Sequence, residues 1–244
     1  MVVQGGTWLA FAFVAATALA GGPTGCGDDG NSGGDGGYHP TIDPAHFSAT
    51  IDHPFFPFAA GTVRQYTEAS ESDVQDITVT VTNDTRVVDG VTCLVVRDVA
   101  SQDTDVLEDT YDWYAQDDDG NVWYFGEDTT EYDGEQTSTA GSWEAGVDGA
   151  EPGIVMEADP QVGDQYRQEF LAGQAEDMAE ILALGESASV PFGDFDDCVR
   201  TRDFTALEPD QVEEKLYCRD VGEVQADLVH GGVEHEELVS VTTE

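Results

Sequence analysis

Residues 108–129, EDTYDWYAQDDDGNVWYFGEDT, decide the fold class. Two short runs, DTYDWYA and NVWYF, alternate aromatic or β-branched side chains with polar ones, and Asp119-Gly120 lies between them. A period of two is the spacing of a strand, and Asp-Gly suits the left-handed backbone of a tight hairpin turn. On such a strand Tyr111, Trp113 and Ala115 share one face while Asp112 and Tyr114 take the other. The acid-rich turn is not a calcium loop. An EF-hand needs acids at its first, third and fifth positions and Glu at its last, with Gly at the sharp turn. Asp117, Asp119 and Gly120 supply the inner positions, but Ala115 and Gly126 stand at the two ends.

Similar runs continue on either side: TVRQY from Thr62, DITVTVT from Asp76 and TCLVVRDV from Thr92. Turn pairs separate the runs, among them Asn83-Asp84, Asp89-Gly90, Asp133-Gly134 and Gly231-Gly232. The pattern predicts a mainly β chain, an antiparallel curved sheet or sheets over residues 61–244. An extended lead-in at 38–60 is rich in Pro, His and Phe and packs aromatic side chains onto the fold. One short helix is expected near 174–184, where Ala175, Met178, Ile181 and Leu182 recur at roughly helical spacing. A weak internal repeat adds to this. Cys93-Leu-Val-Val-Arg97-Asp98 returns 105 residues later as Cys198-Val-Arg-Thr-Arg202-Asp203. Val106-x-Glu108-Asp109-x-Tyr111 returns 106 residues later as Val212-x-Glu214-Lys215-x-Tyr217. A duplicated β-meander would span about 57–126 and 160–230, joined by 127–157.

The 244 residues hold 8 Lys+Arg against 51 Asp+Glu, a formal charge of −43, and Lys215 is the sole lysine. Nucleic acid needs a basic footprint on its binding face, so no nucleic-acid partner is expected. A polybasic lipid-binding patch is excluded on the same ground. A Walker-type phosphate loop needs a Gly-Lys pair, and Lys215 follows Glu214. The acidity has two readings: hydration and counterion retention by an exported protein in salty or alkaline surroundings, or dedicated binding of Ca²⁺ or another hard cation. The acids are spread along the chain rather than gathered in one loop, which favours the first. No cofactor other than Ca²⁺ comes into consideration.

Trp8–Ala20, WLAFAFVAATALA, is an uncharged apolar run of 13 residues. It is short for a bilayer span and suits the apolar region of a signal peptide, assigned to residues 1–25. MVVQGGT ahead of it carries no Lys or Arg. Cleavage after Ala18-Leu19-Ala20 would release a soluble protein. Cys26, heading the Gly/Asp-rich tether 26–37, instead resembles the lipidated cysteine of bacterial lipoproteins, although Pro23-Thr24-Gly25 departs from the usual residues before it. The favoured expectation is lipidation at Cys26. The protein would then sit at the cell membrane or outer-membrane surface, touching the membrane through a lipid anchor only; otherwise it is secreted.

The turn Leu207-Glu208-Pro209-Asp210 lies midway between Cys198 and Cys218. A hairpin about it sets the two cysteines opposite one another, at a separation a disulfide bridges, and export permits oxidation. Cys93 reads as a buried core thiol. No Cys/His zinc spacing exists. The serine-hydrolase elbow fails at Gly185-Glu-Ser187-Ala-Ser189, and the zincin motif fails at Val239 after His235-Glu236. No catalytic residue is assigned. Two stretches, 109–127 and 166–177, mix aromatic and polar residues more than a solvated surface does. They supply the ligand or metal candidates Asp112, Gln116, Arg167, Glu169, Glu176 and Asp177. The functional picture is an aromatic-walled polar cleft for a sugar, small ligand or cation, with Arg167 pairing with Glu169 or Asp112. The plainer picture is an aromatic core with an ion pair fixing the sheet.

Residues 108–129, GSWEAGVDGAEPGIVM (141–156), YRQEFLAGQAEDMAE (166–180) and LEPDQVEEKLY (207–217) together resemble a family of uncharacterised bacterial exported proteins and lipoproteins. The resemblance covers roughly residues 55–242 and implies a β-rich envelope protein without an established activity. The expectation is therefore a non-enzymatic cell-envelope binding or interaction module whose ligand is unknown, a divalent cation being the simplest. The alternatives are a polymer-acting hydrolase using paired carboxylates (Asp112, Glu169 or Glu176) and a purely structural surface protein.

Overall fold

The computed structural model describes residues 37–243. The leader, Cys26 and the tether lie outside the described residues. A 3-10 turn at Pro44–His46, capped by the Asp43 carboxylate, leads into β1 (Phe47–Ser48) and a small hairpin of β2 (Ile51–His53) and β3 (Phe56–Phe58). A meander of long strands follows: β4 (Thr62–Ser70), β5 (Val74–Val88), β6 (Val91–Gln102), β7 (Asp105–Asp117) and β8 (Val122–Asp133). Short strands β9 (Gln136–Ser138), β10 (Trp143–Glu144) and β11 (Glu151–Met156) pair with β8. After β12 (Gln165–Arg167) and β13 (Glu169–Phe170), a second meander runs through β14 (Asp177–Val190), β15 (Gly193–Thr205), β16 (Val212–Cys218), β17 (Gly222–His230) and β18 (Glu234–Thr243).

All pairings are antiparallel, and β18 pairs with β4, so the meanders join into one curved sheet. Its two ends nearly meet on the segment 165–170. The first half of that segment, β12, pairs with β14, and the second half, β13, pairs with β11. Gly153 of β11 makes this approach feasible, because a Cβ there would collide with the backbone of Arg167 and Gln168.

Side chains alternate inward and outward along the strands. On β4, Thr62, Arg64, Tyr66 and Glu68 are buried; on β7, Glu108, Thr110, Asp112 and Tyr114 are. The inward set divides by height. Toward one end it is aromatic and aliphatic, and the β2–β3 hairpin plugs it. The Phe56 and Phe58 rings lie tilted 4.6 Å apart and meet Tyr114 at 5.8 and 5.4 Å, while Phe56 meets Tyr217 at 6.0 Å. The Asp220 amide bonds the Pro54 carbonyl at 2.7 Å, tying the plug to the β16–β17 turn. Toward the other end, where the turns 71–73, 103–104, 206–211 and 231–233 lie, the inward side chains are mostly acids.

The expected helix at 174–184 is corrected: the chain there enters β14 at Asp177 and stays extended to Val190. Asp177, Ala179 and Ile181 are the inward residues, a period of two that a buried acid at the first position conceals. Pairing with β12 and β15 overrides the helix propensity of the Ala, Glu, Met and Leu residues.

Register refines the repeat. Leu94 pairs with Tyr114 and Val96 with Asp112; 105 residues on, Val199 pairs with Tyr217 and Thr201 with Lys215. Tyr217 therefore occupies the place of Tyr114, not that of Tyr111, and Lys215 occupies the place of Asp112. The match of Tyr111 to Tyr217 sets an outward residue on an inward one and is not structural.

Candidate functional site

The acidic half of the interior is built by alternation alone. On four strands an inward acid stands two residues from an inward aromatic or aliphatic residue: Tyr66 then Glu68, Val96 then Asp98, Tyr114 preceded by Asp112, Leu238 preceded by Glu236. Glu127, Glu169, Asp177, Asp203 and Glu223 complete the lining, all under one-tenth exposed. Some acids are anchored. Tyr124 donates to Asp112 Oδ1 at 2.7 Å, Thr110 to Glu108 Oε1 at 2.8 Å and Gln75 to Glu68 Oε1 at 3.3 Å. Others hold oxygens with no hydrogen-bond partner: both of Asp98, and one each of Glu127, Glu169, Asp203, Glu223 and Glu236. A buried polar group without a partner is costly, so each such oxygen needs an explanation.

Burial is the leading cause of a general upward shift in the acidities. It carries Glu68 to about 8, with Glu234 and Glu213 adding repulsion, and Glu108 to about 7. Asp112 and Asp177 rise to about 7 against the opposing hydrogen bonds of Tyr124 and Thr205. Glu127 is driven well above the carboxylate range by burial, then by Asp112 and Glu108; Glu169 by burial, then by Asp177 and Glu127. Asp98 and Glu236 behave likewise, beside Asp112 and Glu223 respectively. Elsewhere in the interior Lys215 stands 3.0 Å from Glu213 and 3.6 Å from Asp203. Burial opposes its charge, but Glu213, Glu223 and Asp203 outweigh that and hold the ammonium firmly protonated.

The sequence candidates separate. Asp112, Glu169 and Asp177 turn inward and, with Glu127, form one interacting carboxylate group. Gln116 lies outside and bonds Asp52. Glu176 is on the surface, accepting from the Gly173 amide at 2.7 Å. Arg167 pairs with neither Glu169 nor Asp112: it donates to the Glu176 carbonyl at 3.4 Å and lies over the Phe170 and Tyr38 rings at 4.8 and 5.6 Å. Gln168 and Glu169 both turn inward where β12 gives way to β13, while Arg167 is only partly buried. Glu127, Asp98, Glu223 and Glu236 were missed by sequence reasoning. Inward parity with Val96 and Leu238 was the available signal for Asp98 and Glu236.

A cavity of about 320 Å³ has Arg86, Trp113, Glu127, Asp128, Trp143 and Glu144 in its lining. Arg86 stacks over Trp113 at 3.9 Å and pairs with Glu144 at 2.6 Å. Among the described residues no group of three or more His, Cys, Asp or Glu side chains is arranged to hold a metal ion. Cys198 and Cys218, directly opposite in the β15–β16 register, form a disulfide with Cα atoms 4.0 Å apart. Cys93 is a buried free thiol whose pKa burial pushes up to about 12, so it is no nucleophile at neutral pH. No described helix is long and apolar enough to cross a membrane.

No family model and no curated protein matches the chain. Among solved structures, one from Parabacteroides distasonis ATCC 8503, titled a "putative lipoprotein", is similar at 11% identity and a TM-score of 0.45, covering 78% of this chain and 99% of that one.

Proposed function

We propose that the chain is an exported, lipid-anchored cell-envelope protein, a non-enzymatic binding module that takes a positively charged ligand into the acidic half of its barrel. It would belong with the exported β-rich proteins that its motifs resemble. The observation that carries the reading is the set of buried carboxyl oxygens left without partners, headed by both oxygens of Asp98. Surface adaptation to salt places acids outside, in water, and does not account for acids inside. The apolar leader, Cys26 and the Cys198–Cys218 disulfide support the location.

Two experiments test it. Radiolabelled lipid should enter the wild-type protein and not Cys26→Ser, which should leave the membrane fraction; equal labelling of both contradicts the anchor. For binding, the purified protein is dialysed at constant high sodium chloride against Ca²⁺, Mg²⁺ and small ammonium ions. At least one should bind saturably and be lost in Asp98→Asn/Glu127→Gln. The reading fails if every cation binds the double variant as well as the wild type.

A further inference from the structure

The outward face of the first meander differs from that of its repeat. Arg97 pairs with Tyr111 in the β6–β7 register, and in the second meander Arg202 pairs with Glu214. There the outward arginines are matched by acids: Arg200 by Glu186 and Glu214, and Arg202 by Glu180. In the first meander an aromatic ring stands in the place of Glu214. Tyr111 is 40% exposed, and Tyr132 on the adjacent strand β8 is 38% exposed. The Arg97 guanidinium lies 5.6 Å from the centre of the Tyr111 ring and also feels the Tyr132 phenol. Asp109 holds it by two hydrogen bonds, at 2.7 and 2.8 Å. Two large rings are thus left facing water beside a donor fixed in place.

This face runs on into the cleft of about 320 Å³. Asp128 pairs with Tyr111 across β7 and β8 and lines the cleft with Arg86, Trp113, Glu144, Asp148 and Gln174. Trp113 follows Tyr111 on the same face and lies beneath the Arg86 guanidinium. Arg86 makes one hydrogen bond, to Glu144 at 2.6 Å, which leaves most of its N–H fork open. Among the described residues the Asp128 carboxylate and the Gln174 amide have no hydrogen-bond partner. Open donors and open acceptors therefore stand side by side, next to exposed rings.

That mixture disfavours a charged ligand of either sign. A cation would meet Arg86 and Arg97. An anion would meet Asp128, Glu144 and Asp148 in the field of a chain of charge −43. A neutral sugar suits it, because its apolar C–H faces lie on tyrosine while its hydroxyls both donate to carboxylates and accept from guanidinium groups. Tyr132 and Asp128 are separated by about 13 Å of strand, room for more than one sugar ring before the cleft begins.

We propose that the outer face of β6–β8 and the adjoining cleft bind a neutral oligosaccharide, with sugar rings on Tyr111 and Tyr132 and hydroxyls received by Arg97, Asp128 and Arg86. The site is separate from the acid-lined interior, and it stands or falls independently of any cation bound there.

The test is calorimetric titration of the purified protein with neutral hexasaccharides of glucose, mannose, galactose and xylose at constant high sodium chloride. Oligogalacturonate is the anionic counterpart. Phe192→Ala, which removes an exposed ring elsewhere, is the control variant. At least one neutral hexasaccharide is expected to bind saturably, and oligogalacturonate is not. Affinity should fall at least about tenfold in Tyr111→Ala and several-fold in Asp128→Ala, and stay unchanged in Phe192→Ala. Circular dichroism checks that Tyr111→Ala is folded; should it not be, Tyr132→Ala serves in its place with the same loss expected. The proposal is overturned if no neutral hexasaccharide binds, if oligogalacturonate binds as tightly, or if the folded tyrosine variant binds like the wild type. An equal loss in Phe192→Ala also overturns it, since a ring anywhere on the surface would then suffice.

Discussion

Asp98 sits inside the barrel with neither carboxyl oxygen hydrogen-bonded, beside Asp112 and Glu108, and burial holds it protonated far above the usual range. Asp98→Asn removes an acid that must ionise unfavourably at alkaline pH. It should therefore raise stability at about pH 8 by at least about 1 kcal/mol more than it does near pH 5, as read by thermal unfolding. Lys215 is the opposite case. Lys215→Met leaves Glu213, Asp203 and Glu223 without their shared cation, and breaking such a buried set costs about 3–5 kcal/mol. Denaturant unfolding near pH 8 should show that loss, and the loss should shrink near pH 5, where Glu223 is protonated. Both effects were hidden in the sequence. The run TCLVVRDV displays Asp98 as one polar residue in a strand, and only the side on which Val96 and Ala100 fall marks it as inward.

At the scale of elements, the hairpins were legible and the closure was not. Alternation marks β4 to β8, and Asp89-Gly90 and Asp119-Gly120 mark two of their turns, but Asn83-Asp84, expected as a turn, lies inside β5. β14 was misassigned because its inward residues are Asp177, Ala179 and Ile181, which show no hydrophobic alternation at their start. The segment 165–170 offers no local signal that its two halves serve the two ends of one sheet. Gly153→Ala should reveal that closure: the added Cβ meets the Arg167 and Gln168 backbone, so the midpoint should drop by several degrees, whereas Gly163→Ala, in open space but also strained by its positive φ, should cost less. The disulfide ties β15 to β16 across a separation of 20 residues. Reduction should lower stability by about 3 kcal/mol, roughly 10 °C for a chain this size. A midpoint insensitive to reductant would show that the bond does not form.

For the whole molecule the charge of −43 has two addresses. Most acids lie outside, where salt screens them and alternation keeps them solvated. The remainder are buried inside the curved sheet, and composition alone does not distinguish the two populations. They differ in what pH does to them. Unfolded, the inward acids lose their protons near pH 4; folded, Glu108, Asp112, Asp177 and Glu223 keep theirs to about 7 and Glu68 to about 8. Unfolding therefore releases protons across that window, and stability present below about pH 4 is lost as the pH rises toward 8. The most direct measurement is the thermal midpoint of the purified protein from about pH 5 to pH 8 at constant high salt, where surface repulsion is screened. A barrel with uncompensated interior acids predicts a midpoint that falls steadily over this range and falls less in Asp98→Asn. A flat or rising midpoint, unchanged by that substitution, would contradict the acid-lined interior on which the binding function rests.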